Sequence, residues 1–271
     1  MQKFLILCTA RTGSNYLINL LSVHKDLKIF GELFNFDKLK QSDLDVALSD
    51  PLSYFKNKFY QEFPSSIKSV GFKLFYDHLS EDYFWKPVKL EESCLEVKNR
   101  ISNFNNYVGT NFDRNELLKK FEQVKDFIVL DKEIKIIHLK RENLLRTYIS
   151  SKRTFLTDEW LKINDKPKFD NVSFRIDPDE CKDFFNKIDK NENYHDQLFK
   201  EHDILEITYE DLNENRNTTI QQVIQFLNLS NYEPKSILRK QVTVPLSAIV
   251  TNYFELKSNF KDSKWNYFFE E

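Results

Sequence analysis

Four short stretches carry residues whose types and spacing suit chemistry on an anion. The first is Thr9-Ala10-Arg11-Thr12-Gly13-Ser14-Asn15, set between an apolar run and a helical pattern. Backbone N–H groups at a helix start converge on an anion, and the helix dipole adds to the attraction. Gly13 permits a tight turn. Arg11 adds a permanent, forked cation. Ser14 and Asn15 can cap the helix or donate to an oxyanion. The same stretch also reads as an ordinary capped helix after a strand. It is not the nucleoside-triphosphate loop Gly-x-x-x-x-Gly-Lys-Ser/Thr, because a second Gly and the Lys are missing.

The second stretch is Gly31-Glu32-Leu33-Phe34-Asn35. A carboxylate at a strand end sits where α/β sheets place ligands, and there it can act as general base on a hydroxyl. Taken alone, Glu32 reads first as a solvated turn residue. The third is Val70-Gly71-Phe72-Lys73-Leu74-Phe75. A lysine inside a buried strand needs an anionic partner or must carry its ammonium out to water. The fourth runs Ile136-Ile137-His138-Leu139-Lys140-Arg141-Glu142-Asn143 into a helix with Ser150 and Ser151. Arg141 ends a buried strand, and Ser150 follows about two helical turns later. An Arg fork and a Ser hydroxyl can share one phosphate; the alternative is a surface Arg and a neutral mid-helix Ser. His138 reads as a core histidine.

These stretches need a scaffold of strands that end together. Apolar runs predict strands at Lys3–Cys8, Leu27–Phe30, Ser69–Phe75, Lys135–Leu139 and Ile204–Thr208. Periodic apolar stripes predict helices at Asn15–His24, Asn143–Lys152, Asp179–Lys200 and Asn217–Leu227. Residues 37–65 read as helices and loops. Tyr83–Arg100 and Arg114–Lys125 read as mixed or helical, and 155–175 as irregular. Short strands alternating with helices predict a parallel sheet covered on both faces.

Composition narrows the class. The chain has 271 residues, and 41% of them are apolar, with 25 Phe, enough for a core without disulfides. Net charge is −2, so no global basic field favours nucleic acid. Cys8, Cys94 and Cys181 match neither a disulfide framework nor a zinc site, and fit a reducing compartment. The apolar start at Phe4–Cys8 is short for a secretory leader and leads straight into the loop, so it reads as a first strand. No run has the length of a membrane span, and the expectation is a cytoplasmic protein.

Together the motifs resemble the sulfotransferase superfamily that uses 3′-phosphoadenylyl sulfate. Within it the likeness is to the bacterial carbohydrate branch, of trehalose and nodulation-factor type. Thr9–Leu17 is similar to the 5′-phosphosulfate loop, and Ile136–Ser150 to the 3′-phosphate motif. Ile207-Thr208-Tyr209-Glu210-Asp211-Leu212 and the later Asn252-Tyr253 and Glu255-Leu256 extend the likeness along the chain. The resemblance implies one domain over 1–271, a three-layer, P-loop-like α/β fold with a central, mostly parallel sheet flanked by helices. It implies in-line transfer of a sulfuryl group to a hydroxyl of a carbohydrate or glycolipid, without a metal. Arg11 would contact the bridging oxygen of the donor, with Thr12, Gly13, Ser14 and Asn15 around the 5′-phosphate and sulfuryl oxygens. Arg141 and Ser150 would hold the 3′-phosphate. Glu32 would be the base and Lys73 a substrate contact. The glycine-rich C-terminal loop of cytosolic relatives is absent, and Arg239-Lys240 stands in its place, with Lys240 as a further donor contact. The rival readings are a degenerate P-loop nucleotide kinase needing Mg²⁺ and ATP, and a nucleotide-binding module without catalysis.

Overall fold

The computed structural model describes residues 1–84, 89–161, 172–234 and 244–270. Its centre is a five-stranded sheet of β1 (Gln2–Cys8), β2 (Leu27–Glu32), β3 (Ser69–Phe75), β4 (Ile134–Lys140) and β5 (Ile204–Thr208). The order is β2-β3-β1-β4-β5, and every neighbouring pair is parallel. Parallel strands need crossovers, and helices supply them. The helices are α1 (Ser14–Leu21), α2 (Gln41–Ser49), α3 (Pro51–Phe59), α4 (Leu95–Asn111), α5 (Arg114–Leu130), α6 (Leu144–Thr157) and α7 (Pro178–Leu198), which lie between strands, and α8 (Tyr209–Glu214), α9 (Arg216–Phe226), α10 (Leu246–Ile249) and α11 (Tyr253–Asn259), which follow β5.

Strand alternation sorts the core into two faces. Leu5, Leu7, Val70, Phe72, Leu74 and Ile136 pack with α2, α3, α4 and α5. Phe4, Ile6, Cys8, Ile137, Leu139 and Ile207 pack with α1, α8 and α9. The result is helices, sheet, helices in three layers. A third apolar cluster joins α6 and α7 to α10, α11 and the chain end at Phe268 and Phe269.

An aromatic cluster packs beside the second stretch. Phe34, Phe55, Phe59 and Phe72 lie within ring contact, Phe59 and Phe72 with centroids 4.8 Å apart. Each fully buried Phe contributes about 1.5–3 kcal/mol. Phe34 thereby anchors the chain two residues beyond Glu32. Gly71 is needed on the opposite face of the sheet. A Cβ there would lie 2.1 Å from the Phe4 ring across the β1–β3 pair.

Some boundaries differ from the sequence expectation. The first helix ends at Leu21, not His24, because His24 is drawn into tertiary contacts: its Nε2 lies 2.8 Å from the Ser230 carbonyl. β2 continues to Glu32, since its last residue pairs with Lys73 of β3. α6 continues to Thr157, where an irregular segment is predicted from residue 155. Burial of Arg153, Thr154 and Phe155 explains the extra turn. No helix among the described residues is long and apolar enough to cross a membrane.

Candidate active site

The strand order creates the site. The chain leaves β1 toward β2 on one side of the sheet, and leaves β4 toward β5 on the other. Two neighbouring strands whose connections diverge leave a crevice at their carboxyl ends. The loop after β1 and Arg141 after β4 meet in it.

Two left-handed residues shape the loop: Arg11 with φ 69° and Gly13 with φ 83°. Thr12 is buried, and its hydroxyl donates to the Thr9 carbonyl at 2.8 Å, which fixes the turn. Gly13 is the N-cap of α1, and no side chain among the described residues caps that helix. Ser14 and Asn15 therefore do not cap, as the sequence allowed; both turn toward Lys73. Tyr209 explains why Gly13 is Gly in space as well as in φ, since an added Cβ would lie 2.5 Å from its Cδ2. Cys8 lies buried at the base of the loop, and burial pushes its thiol up to about 11, so it stays neutral.

The fourth stretch closes on the first. Arg11 donates from Nε to Ser150 Oγ at 3.0 Å and from Nη1 to the Trp160 carbonyl at 2.9 Å. Arg141 donates from Nη1 to the Arg11 carbonyl at 3.0 Å. Its guanidinium also stacks on Tyr209, 4.4 Å from the ring centroid. Among the described residues Arg141 Nε is buried without a hydrogen-bond partner, and Glu210 Oε1 stands 4.0 Å off. Arg153, one turn past Ser150, is buried beside Glu159. Burial, with the Arg141 and Arg153 cations nearby, pulls the Arg11 guanidinium down to about 10, so it remains charged at neutral pH. An uncapped helix start, gathered guanidiniums and an orphaned Arg141 N–H together fit an anionic ligand.

Glu32 and Lys73 form the other wall. They face each other across β2 and β3, just past a register shift. Lys73 is 1% exposed, and its ammonium reaches Glu32 Oε1 at 2.7 Å, Asn15 Oδ1 at 2.6 Å and Ser14 Oγ at 3.4 Å. Those contacts match the three donors of an ammonium. Lys73, expected as a substrate contact, lies buried among these partners and ties β2 to the start of α1. Glu32 Oε2 accepts from Asn35 Nδ2. Burial pushes the Glu32 carboxyl up, but Lys73, His78 and Lys38 outweigh it, and the net shift is down.

His138 is a core residue with more partners than expected. Its Nε2 lies 2.6 Å from Tyr76 Oη, and its Nδ1 lies 2.9 Å from Asp196. Among the described residues His138, Asp196 and Glu206 bring possible metal-ligand atoms within 4.8 Å of one another. The Lys140 ammonium already bonds both carboxylates, at 3.1 and 2.6 Å. Lys240 lies outside the described residues. Sequence reasoning missed Arg153, Trp160 and the role of Tyr209. Arg153 had a signal: with Arg146 and Ser150 it follows a spacing of four and three along one helix face.

Fold and crevice define an α/β protein of the phosphate-loop type with a cationic site at the head of its sheet. The sulfotransferase family model matches residues 3–234, and the chain belongs to that family. It is similar to nodulation protein H of Rhizobium tropici, 24% identical over 99% of this chain and 93% of that protein. Nodulation protein H of Rhizobium meliloti (strain 1021) is 23% identical over 99% and 95%. The crystal structure of a sulfotransferase from Alicyclobacillus acidocaldarius aligns over 96% of this chain and 92% of its own, with a TM-score of 0.46 and 12% identity.

Proposed function

We propose that this enzyme moves a sulfuryl group from 3′-phosphoadenylyl sulfate to a hydroxyl of a carbohydrate or glycolipid. The observation that carries the donor is the meeting of Arg11, Ser150 and Arg141 in one crevice. It supports a reading with two neighbouring anion positions, in which the start of α1 would take the 5′-phosphosulfate, and Arg141 with Ser150 the 3′-phosphate. The acceptor class rests on the likeness to the bacterial carbohydrate branch. One domain over 1–271 serves this reading, and the free thiols of Cys8, Cys94 and Cys181 support a cytoplasmic location.

Glu32 receives the proton of the acceptor hydroxyl as its oxygen forms the new bond to sulfur. The sulfur–oxygen bond to the 5′-phosphate breaks, and its electron pair leaves on the bridging oxygen. Arg11 and the loop amides hold that growing charge, as in phosphoryl transfer. Lys73 and Asn35 orient Glu32 and keep it ionised. Each carboxylate oxygen retains room for a further hydrogen bond.

Thermal melting separates this donor from its rivals. Adenosine 3′,5′-bisphosphate is expected to raise Tm more than ATP with Mg²⁺; the reverse order would sink the donor assignment. A glycan screen with radiolabelled donor then identifies the acceptor. Glu32→Gln is expected to keep bisphosphate binding and lose transfer. A wild-type protein that binds the bisphosphate but transfers to no glycan would favour the non-catalytic module.

A further inference from the structure

Residues 158–160 join the two walls of the crevice. α6 stops at Thr157 because Asp158 adopts a left-handed conformation, φ 54° and ψ 19°, with its N–H bonded to the Thr154 carbonyl at 2.9 Å. The turn brings the Trp160 carbonyl to Arg11 Nη1. The indole is held from several sides. Its Nε1–H donates to Asp158 Oδ1 at 2.6 Å, and the same oxygen accepts from Arg100 Nη1 at 3.1 Å. The Lys38 ammonium sits 3.8 Å from the ring centroid, the Arg100 guanidinium 5.4 Å and the Phe155 ring 5.9 Å. Lys38 ends the short 3₁₀ turn Phe36–Lys38 that follows Glu32. Arg100 also reaches Asp37 of that turn, at 3.5 Å.

Arg11 has a long side chain on a strained backbone, and its usefulness depends on where the guanidinium rests. We infer that Trp160 is a positioning residue: its clamped indole fixes the turn, so that its carbonyl holds the Arg11 guanidinium in register with the loop bearing Glu32. The inference rests on the donor reading above and deepens it. Trp160 touches neither donor nor acceptor in this scheme. It acts through Arg11, and the indole contacts to Lys38 and Arg100 set the separation between the leaving-group cation and the base.

A double-mutant cycle tests this without an acceptor. Calorimetry measures the Kd of adenosine 3′,5′-bisphosphate for wild type, Trp160→Ala, Arg11→Ala and the double variant. Trp160→Ala is expected to weaken binding about tenfold, the size of one misplaced charge-assisted hydrogen bond. In the Arg11→Ala background the same change is expected to add less than about twofold, which a general loss of structure would not do. Trp160→Phe keeps the ring on Lys38 and Arg100 and should restore most of the affinity. Lys38→Ala, which leaves the turn intact, should give a smaller loss that also vanishes without Arg11; it carries the test if Trp160→Ala fails to fold. Equal losses in both backgrounds, or wild-type affinity in Trp160→Ala, would overturn the inference and leave the donor reading standing. A wild-type protein that does not bind the bisphosphate would remove both.

Discussion

Arg11 Nε and Ser150 Oγ meet at 3.0 Å although the residues stand 139 positions apart. Arg11 comes from the loop after β1, Ser150 from the middle of α6. One hydrogen bond thus joins the two parts of the chain that the proposed donor would bridge. Ser150→Ala removes the acceptor and leaves a largely desolvated Arg11 N–H without it. A cost of about 1 kcal/mol to stability is expected, with bisphosphate binding about tenfold weaker. Urea unfolding and calorimetry measure the two effects separately.

Gly13→Ala meets two obstacles. An alanine at φ 83° is strained, and its Cβ would strike Tyr209. Together they are expected to destabilise the protein by about 1–3 kcal/mol and to distort the start of α1. Adding Tyr209→Ala relieves the clash and not the backbone strain, so only part of the stability should return. Because Tyr209 also stacks on Arg141, the double variant should still bind the bisphosphate poorly.

Lys73→Met tests the Glu32 carboxylate by pH. In the wild type the net shift of Glu32 is below 4.5. Its carboxylate therefore contributes stability that is present above the unfolded value and lost as pH falls through the lowered folded value. Without Lys73, burial dominates and the carboxyl should rise. The acid limb of the pH–rate profile should then move upward. Breaking the pair is expected to destabilise by about 3 kcal/mol or more near neutral pH, with the deficit shrinking in acid as Glu32 takes a proton.

Two buried histidines predict acid lability. Burial pulls both His138 and His195 from 6.5 to about 4. The unfolded chain then binds more protons than the native protein between those values, so stability should fall as pH drops from about 6.5 to about 4. The geometry fits a neutral His138 whose Nδ1–H donates to Asp196 while Nε2 accepts from Tyr76. Unfolding curves across that range, with NMR titration of the two rings, check the direction; a flat profile would contradict it.

Much of the framework was legible because it is local. The runs at Ser69–Phe75 and Ile204–Thr208 are strands to the residue, since short runs rich in apolar and β-branched residues between polar segments favour that form. The break at Gly13 was legible from a lone Gly between a strand and a helix pattern. Residues whose places depend on distant partners were less so. His24 left its helix for Ser230, and α6 gained a turn because Arg153 and Phe155 found burial. Trp160 gave no signal, because its neighbours Lys38 and Arg100 come from far upstream.

The sequence by itself determined the order of the strands, a first loop without the lysine of the nucleoside-triphosphate motif, the residue types for an anion in Arg11, Arg141 and Ser150, and a candidate base in Glu32. Tertiary structure decided which of them meet. Strand order put β1 beside β4 and so brought Arg11 to Ser150, and it put β2 beside β3 and so sank Lys73 under Glu32. Spacing along a chain fixes only neighbours within a turn or a strand. Contacts across more than a hundred residues come from the order in which parallel strands pair, and that order is set by the packing of the whole sheet.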